Sequence, residues 1–346
     1  MISPSKNKQM RIQIYSGNFF PEKTGIGKYT GEMAAWLAGR GHDVHVITGY
    51  PYYPEWKLAP GYTRTRYLTQ TWAGVTIHRV PHYIPKDGKV SSLRRILVDL
   101  SIFANSAVNW LGILLAPKSQ RPDVVIAVCP PLFSGIWPWL AAKLRGIPWV
   151  YHIQDFQVDA AMSLGMIKHG ILGKLLYRVE NHLIRSATRV SSITPAMCRR
   201  AIDKGAAAER VLELPNWCDV HSIYPIPRET EFRSRLGLGS DAMLVMYAGA
   251  MGRKQGLPLV LDAAAWLQTS EPRFHFVMIG SGSDAEQLRA EAEARGLQNM
   301  SFLPLQPLEQ LNQVLGSADI HLVIQKAHTA DLVMPSKLTN ILAAAR

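Results

Sequence analysis

The tightest constraint on this chain is one turn in its C-terminal third. Residues 242–248 (AMLVMYA) form an apolar run of strand length that ends in Gly249, Gly252 and Gly256, with the cations Arg253 and Lys254 inside the turn. From Leu257 the period changes: Leu257, Val260, Leu261, Ala264 and Leu267 recur at helical spacing. Strand, Gly-rich turn, cations and helix are the parts an anion site needs. Glycine lets the backbone come close, a helix start offers free N–H groups, and cations balance the charge. The same pattern also fits an ordinary βα turn, so the turn alone leaves both readings open.

The rest of the chain repeats this rhythm. Residues 11–16 read as a strand, 17–26 as a loop, 27–40 as a helix closed by Gly41, and 43–48 as a second strand. Further strands are expected at 75–80, 123–128, 148–153, 188–193 and 211–214, with helices at 132–145, 172–186 and 195–204 between them. Residues 217–240 carry Pro225, Pro227, Gly237 and Gly239 and read as a linker with a short helix. The rhythm then restarts: strands at 242–248, 274–279, 300–303 and 319–324, helices at 283–295 and 308–316, and a last helix from Lys337. Alternating βα units of this kind predict parallel, doubly wound sheets. The expected organisation is an N-terminal Rossmann-like domain at 1–216, a linker at 217–240 and a second Rossmann-like domain at 241–346, with ligands in a cleft at the strand ends.

Several function classes fit poorly. Gly25 and Gly27 supply two of the three glycines of a dinucleotide fingerprint, the loop before them is long, and the second strand ends Ile47-Thr48-Gly49 without the acid that would hold a ribose. Lys and Arg outnumber Asp and Glu by 38 to 26, giving a net charge of +12, which favours anionic partners. The basic residues are scattered, which weakens a nucleic-acid reading. Cys129, Cys198 and Cys218 form neither a CxxC pair nor a metal-ligand spacing, so no metal site is expected and a reducing cytoplasm fits best. Residues 1–10 are polar and lack the apolar core of a secretory signal.

Two stretches stand outside the rhythm. Residues 50–62 (YPYYPEWKLAPGY) form an aromatic, Pro-rich loop in which Tyr52, Tyr53 and Trp56 are candidates for an acceptor surface; the bland alternative is a loop packed by its own rings. Residues 91–116 are the most apolar long stretch, preceded by Lys86 and Lys89 and carrying Arg94 and Arg95. Asp99, Asn105 and Asn109 argue against a membrane span, leaving a largely buried helix as the main expectation and an interfacial helix on an anionic leaflet as the alternative.

Taken together, residues 21–30 (PEKTGIGKYT), 41–48 (GHDVHVIT), 51–56 (PYYPEW), 152–155 (HIQD), 214–217 (LPNW), 247–249 (YAG) with 252–256 (GRKQG), and 335–340 (PSKLTN) run in an order that resembles the retaining family 4 glycosyltransferases of the GT-B fold, in particular the bacterial colanic-acid and exopolysaccharide enzymes. The resemblance covers essentially the whole chain. It implies an acceptor-binding first domain and a second domain that binds a nucleotide-diphosphate sugar, with a GDP-sugar as the first choice, and no tightly bound cofactor or metal. It implies that Arg253 and Lys254 hold the donor diphosphate beside Gly249 and Gly252, and that Gly25 and Gly27 lie near the phosphates. His152 and Asp155 are then the catalytic candidates near the transferred sugar. Gly280 and Gly282, together with Asp331, Pro335, Ser336, Lys337 and Asn340, complete the donor site. Lys337 stands at a helix start, where a cation opposes the helix dipole and an anionic ligand would rationalise it. The implied acceptor is a lipid-linked oligosaccharide, reached from the cytoplasm with peripheral contact to the anionic inner membrane surface.

Two departures from the family pattern remain. Its paired Glu residues near the last helix are represented here by Asn340 and, at best, Asp331, which puts the donor's identity in question. Family members also continue past this helix, so the second domain is expected to be incomplete, with an apolar face around Leu338, Ile341 and Leu342 left uncovered. The competing expectations are a non-catalytic, membrane-associated partner and an NAD-dependent sugar-modifying enzyme.

Overall fold

The computed structural model describes residues 8–22, 25–63, 65–85, 88, 91–163, 170–252, 255–325, 335 and 337–346. The chain divides into two compact units, one ending at Pro215 and the other starting at Asn216.

The first unit is built on eight strands: β1 (Arg11–Tyr15), β2 (Asp43–Thr48), β3 (Leu68–Trp72), β4 (Val75–Arg79), β5 (Val124–Cys129), β6 (Trp149–Ile153), β7 (Arg189–Ser192) and β8 (Val211–Glu213). They form one sheet in the order β3-β4-β2-β1-β5-β6-β7-β8. Every pairing is parallel except β3 with β4. The helices are α1 (Gly25–Gly39), α2 (Ser92–Asn105), α3 (Ala107–Leu115), α4 (Ile136–Arg145), α5 (Gln157–Ser163), α6 (Ile171–Ser186) and α7 (Pro195–Asp203). Helices cover both faces, so a central strand such as β5 (VVIAVC) reads as a near-continuous hydrophobic run. On one face Ile12, Ile14, Val44, Val46 and Ile77 pack with Ala34, Met33 and Leu37 of α1. On the other, Tyr15, Ile47, Ala127, Trp149 and Tyr151 pack against α2, α3, α4, α6 and α7. Local chemistry sets the helix ends. Thr194 accepts the Met197 N–H at 3.1 Å to cap α7, and Gly146 at φ 66° closes α4 in the left-handed conformation.

The second unit carries α8 (Glu231–Arg235), β9 (Met243–Ala248), α9 (Pro258–Ser270), β10 (Phe274–Ile279), α10 (Ala285–Ala294), β11 (Met300–Leu303), α11 (Leu311–Gly316), β12 (Ile320–His321) and α12 (Lys337–Ala343). Its strands form a parallel sheet in the order β11-β10-β9-β12. Both units are therefore Rossmann-like.

Three expectations are corrected. Residues 217–240 are not a free linker. Phe232 is buried with Leu244, Val277 and Val314, and Asp319 takes Arg228 at 2.7 Å and Arg233 at 2.9 Å, locking the segment onto the second sheet. Ile341 is not left uncovered: it is buried with Ile223, Leu315 and Ala344, while Leu342 faces solvent. Residues 91–116 form two helices instead of one buried one, and only 22% of their most apolar window is buried, because one stripe packs on the domain and another points outward.

Candidate active site

In the second unit the site grows from two Gly-rich strand ends laid side by side. After β9 the chain passes Gly249, whose N–H donates to the Ile279 carbonyl at 2.8 Å; after β10 it passes Gly280, Ser281 and Gly282. Met251 N–H donates to Ser281 O at 2.9 Å, and Asp284 N–H to Met251 O at 3.0 Å. The approach requires glycine. A Cβ on Gly280 would lie 2.0 Å from Gly249 O, and one on Gly282 would lie 2.1 Å from Met251 O; both residues have φ near +150°, a region closed to side chains. Gly252 N–H donates to Gln255 Oε1 at 3.2 Å, tightening the turn before α9. Arg253 and Lys254 lie outside the described residues, as do Asp331 and Ser336.

Lys337 enters this turn from α12, which Pro335 opens by accepting the Leu338 N–H at 3.1 Å. Its Nζ lies 3.6 Å from the centroid of the Tyr247 ring and has no hydrogen-bond partner among the described residues. A Cβ on Gly249 would come within 3.1 Å of that ammonium. Burial pushes the Lys337 pKa down to about 8. One turn along, Asn340 presents a buried Oδ1, also without a hydrogen-bond partner among the described residues. A cation held by a ring face at a Gly-rich turn, with an unmatched amide oxygen one helical turn on, is chemistry with which an anionic, hydroxyl-bearing ligand can be met.

In the first unit, the loop after β1 is organised by a carboxylate that the sequence motif contained but did not single out. Glu22 is buried, and its Oε1 accepts the N–H groups of both Tyr52 and Tyr53 at 3.0 Å. Its other oxygen, Oε2, lies against the start of α1, 2.7 Å from where a Cβ on Gly27 would sit. Gly25 opens the helix at φ 58°. Burial raises the Glu22 pKa to about 7, despite the two backbone donors. The buried Arg79 completes the lacing by donating to Gly49 O at 2.9 Å and to Phe20 O. The loop segments at 17–22 and 49–56 are thus one structure. Glu22 was legible only as a loop acid; its two N–H partners lie thirty residues on in sequence and come near only through the fold.

Within the aromatic loop the three candidates separate. Tyr52 is buried between Trp56 and His82, Tyr53 is exposed, and Trp56 is half-buried with Arg95 5.2 Å from its ring centroid. Tyr53 and Trp56 offer surface to a ligand; Tyr52 is core.

His152 and Asp155 both stand at the C-terminal end of β6, as expected, but His152 does not present its ring to solvent. Its Nδ1 lies 2.9 Å from Ser191 Oγ and its Nε2 lies 3.2 Å from the Gln154 amide nitrogen. With that amide donating, Nε2 accepts and the proton rests on Nδ1. Burial lowers the pKa to about 4, so the imidazole is neutral at pH 7. Asp155 follows in the loop before α5, where its carbonyl accepts from Cys129 Sγ at 3.9 Å.

Comparison with known proteins identifies both domains. Residues 24–217 match a glycosyl transferase 4-like domain, and residues 228–335 match the glycosyl transferases group 1 domain. The chain is 42% identical over 339 residues to a protein of Escherichia coli (strain K12) that carries the name colanic acid biosynthesis glycosyl transferase WcaI, covering 96% of this chain and 81% of that one. It is 27% identical to D-inositol 3-phosphate glycosyltransferase 1 of Catenulispora acidiphila, over 89% of this chain and 71% of that one. Among solved structures, Anabaena Alr3699/HepE in complex with UDP-glucose superposes with a TM-score of 0.65 at 16% identity, covering 98% of this chain and 79% of that one. WaaG, a glycosyltransferase involved in lipopolysaccharide biosynthesis, superposes with a TM-score of 0.62 at 17% identity, covering 96% and 79%. With both domains matched in order and one relative this similar along nearly its whole length, the chain belongs to the GT-B glycosyltransferases that join a 4-like domain to a group 1 domain.

Proposed function

We propose that this glycosyltransferase moves a sugar, with retention and without a metal, from a nucleotide-diphosphate donor to a lipid-linked glycan in cytoplasmic assembly of a colanic-acid-type surface polysaccharide. The observation that carries the donor assignment is Lys337, a buried ammonium with no hydrogen-bond partner among the described residues, set against the Gly249 turn. The named relatives support sugar transfer in polysaccharide assembly and a nucleotide-diphosphate donor: a colanic acid glycosyl transferase by sequence, and a structural neighbour bound to UDP-glucose. Retention, metal independence and the lipid-linked acceptor rest on the family resemblance.

In this reading Lys337 takes the donor diphosphate, joined by Arg253 and Lys254. Gly249, Gly252, Gly280 and Gly282 let the backbone approach it, and Asn340 meets a hydroxyl of ribose or sugar. Breaking the bond between the anomeric carbon and the diphosphate oxygen leaves its electron pair, and thus negative charge, on the diphosphate. Fixed cations aimed there favour the transition state. The acceptor hydroxyl bonds to the same face of the anomeric carbon, and its proton passes to the leaving phosphate oxygen. His152, neutral and held by Ser191 and Gln154, serves as a fixed hydrogen-bonding group with Asp155 beside it, and no general base is asked of it. Tyr53 and Trp56 offer rings to the acceptor.

A panel of GDP-, UDP-, ADP- and dTDP-sugars tests the proposal by thermal shift and calorimetry, followed by nucleotide release with a polyprenyl-linked acceptor. GDP-sugars are the first to try. One donor class should raise Tm and be consumed; no stabilisation by any of them would overturn the assignment.

A further inference from the structure

We propose that Gln157 is a positioning residue for the transfer reaction: clamped between the Leu132 N–H and the Asp99 carboxylate, it sets the backbone that presents Asp155 and, through Gln154, the ring of His152. The assignment deepens the reading above and rests on it for the roles of His152 and Asp155. Three elements meet at this one side chain. Gln157 Oε1 accepts the Leu132 N–H at 2.9 Å, and Gln157 Nε2 donates to Asp99 Oδ2 at 3.3 Å. Leu132 opens the short 3-10 turn Leu132–Gly135 that leads from β5 into α4, so its N–H is one of the donors that a helix start leaves without a partner. Asp99 comes from α2, beside the buried Val98 and Ile102.

The amide satisfies both partners in one orientation only. A carboxylate accepts and a backbone N–H donates, so the amide oxygen faces Leu132 and the nitrogen faces Asp99. The flipped amide would set donor against donor and oxygen against oxygen. Asp99 is the only acid from 91 to 121, and it stands on the side of α2 that carries apolar packing. Burial raises its pKa from 3.8 to about 6, despite the bond from Gln157 and the charge of Arg95. A carboxylate kept against that cost points to a task beyond packing.

The amide fixes a stretch of chain between two anchored ends. Upstream, Ser192 Oγ donates to Ile153 O at 2.7 Å and Gln154 N–H donates to Cys129 O at 2.8 Å. Downstream, Asp159 pairs with Arg200 at 2.8 Å and with Lys204 at 2.9 Å. Residues 155–158 bridge the gap. Phe156 and Val158 are buried, while Asp155 and Gln157 alternate with them and are half-buried. Gln157 thereby ties this loop to the turn after β5 and to α2 at once. Because the Gln154 amide nitrogen lies 3.2 Å from His152 Nε2, a shift of the loop reaches the imidazole as well.

The test reverses the polarity of the clamp in the full chain. Gln157→Glu sets two carboxylates against each other at pH 7.5 and should lower kcat about tenfold or more. The nucleotide sugar chosen by the panel above should still bind within about twofold of the wild-type affinity, because the donor groups lie in the second unit. Adding Asp99→Asn restores both bonds in reverse: the new amide donates to the new carboxylate, whose other oxygen still accepts the Leu132 N–H. In that double variant kcat should return to within about threefold of wild type. Asp99→Leu strands the Gln157 N–H and should lower kcat about three- to tenfold, which supplies an impaired variant if Gln157→Glu does not fold. A second readout needs no substrate. In histidine-labelled protein, the ring resonances of His152, assigned with His152→Gln, should move in the impaired variants and return in the double variant. Wild-type kcat in folded Gln157→Glu, a folded double variant no faster than the single ones, or an unmoved His152 resonance in an impaired variant would each overturn the proposal. If no nucleotide sugar binds the wild type, the donor reading fails, and the His152 resonances decide the clamp by themselves.

Discussion

The ammonium of Lys337 sits 3.6 Å from the centre of the Tyr247 ring, and the Tyr247 hydroxyl donates to Ala250 O at 2.6 Å. A residue of the last helix is thus held by a residue of the first strand of its unit, at the turn where Gly249 leaves room for it. The ring compensates the cation's lost hydration only in part, worth about 0.5–2 kcal/mol. Burial still depresses its pKa, and a bound anion would restore what the apo fold withholds.

Lys337→Met should therefore stabilise the apo protein and cripple donor binding together. The folded-state pKa of about 8 lies below the ordinary 10.5, so the fold disfavours the charged form. The cost to stability appears as pH falls from 10.5 and is complete below 8, amounting to at most about 3 kcal/mol. At pH 7 the variant is expected to melt higher than wild type and to bind the nucleotide sugar ten- to a hundredfold more weakly. Wild-type donor affinity should fall as pH rises through 8. Thermal melts and calorimetry at pH 7 and 9 check both, and undiminished donor affinity in the variant would remove Lys337 from the site.

Glu22 makes a prediction of opposite chemistry. Its folded pKa is raised from 4.5 to about 7, so the fold favours the protonated carboxyl. Stability from this group is present below 4.5 and lost as pH rises through 7, a swing of about 3 kcal/mol. Glu22→Gln keeps an oxygen for the N–H groups of Tyr52 and Tyr53 and removes the charge. It should melt above wild type at pH 8 and level with it near pH 4.5. Parallel melting curves for the two proteins across that range would show that Glu22 is already ionised without penalty.

The residues that were legible in the sequence and those that were not differ in where their determinants lie. Asp43–Thr48, Phe274–Ile279 and Met300–Leu303 match their expected bounds, because each is a short run of apolar and β-forming residues set between turn signals. The pattern does not announce β3: it is an exposed edge strand joined to β4 through Ala73 and Gly74, both at positive φ, a hairpin turn usually announced by Asn-Gly. α5 was missed because it depends on Asp159 meeting Arg200 and Lys204, some forty residues on. At the site, Gly249, Gly280, Gly282 and Lys337 were readable because glycine and a misplaced cation are unusual where they stand. The burial of His152 and the two donors on Glu22 were not, since both depend on which strand or loop lies next door.

His152 should reveal its burial through pH. Its folded pKa of about 4 lies below the ordinary 6.5, so the neutral ring is the one the fold accepts. The stability it contributes is present above 6.5 and lost as pH falls from 6.5 to 4, by roughly 3 kcal/mol. His152→Gln can still hydrogen-bond Ser191 and does not titrate, so its loss of stability between pH 7 and 5 should be smaller than that of wild type. An imidazole resonance titrating near 6.5 in the wild type would contradict the buried, neutral assignment.

Lys204 carries the sharpest stability prediction. It is fully buried, with Nζ 2.9 Å from Asp159 Oδ2, 2.5 Å from Glu180 Oε2 and 3.9 Å from the centre of the Tyr177 ring. Lys204→Met leaves two buried carboxylates facing one another, with only Arg200, at 2.8 Å from Asp159, still neutralising them. Breaking one side of a buried pair costs about 3–5 kcal/mol. For a unit of this size that lowers Tm by roughly 6–20 °C. Glu180→Gln in the Lys204→Met background removes the stranded charge and should recover much of the loss, giving a large coupling between the two sites. A double-mutant cycle by thermal melting decides it: simple additivity would mean that the ammonium and the carboxylate do not stabilise each other.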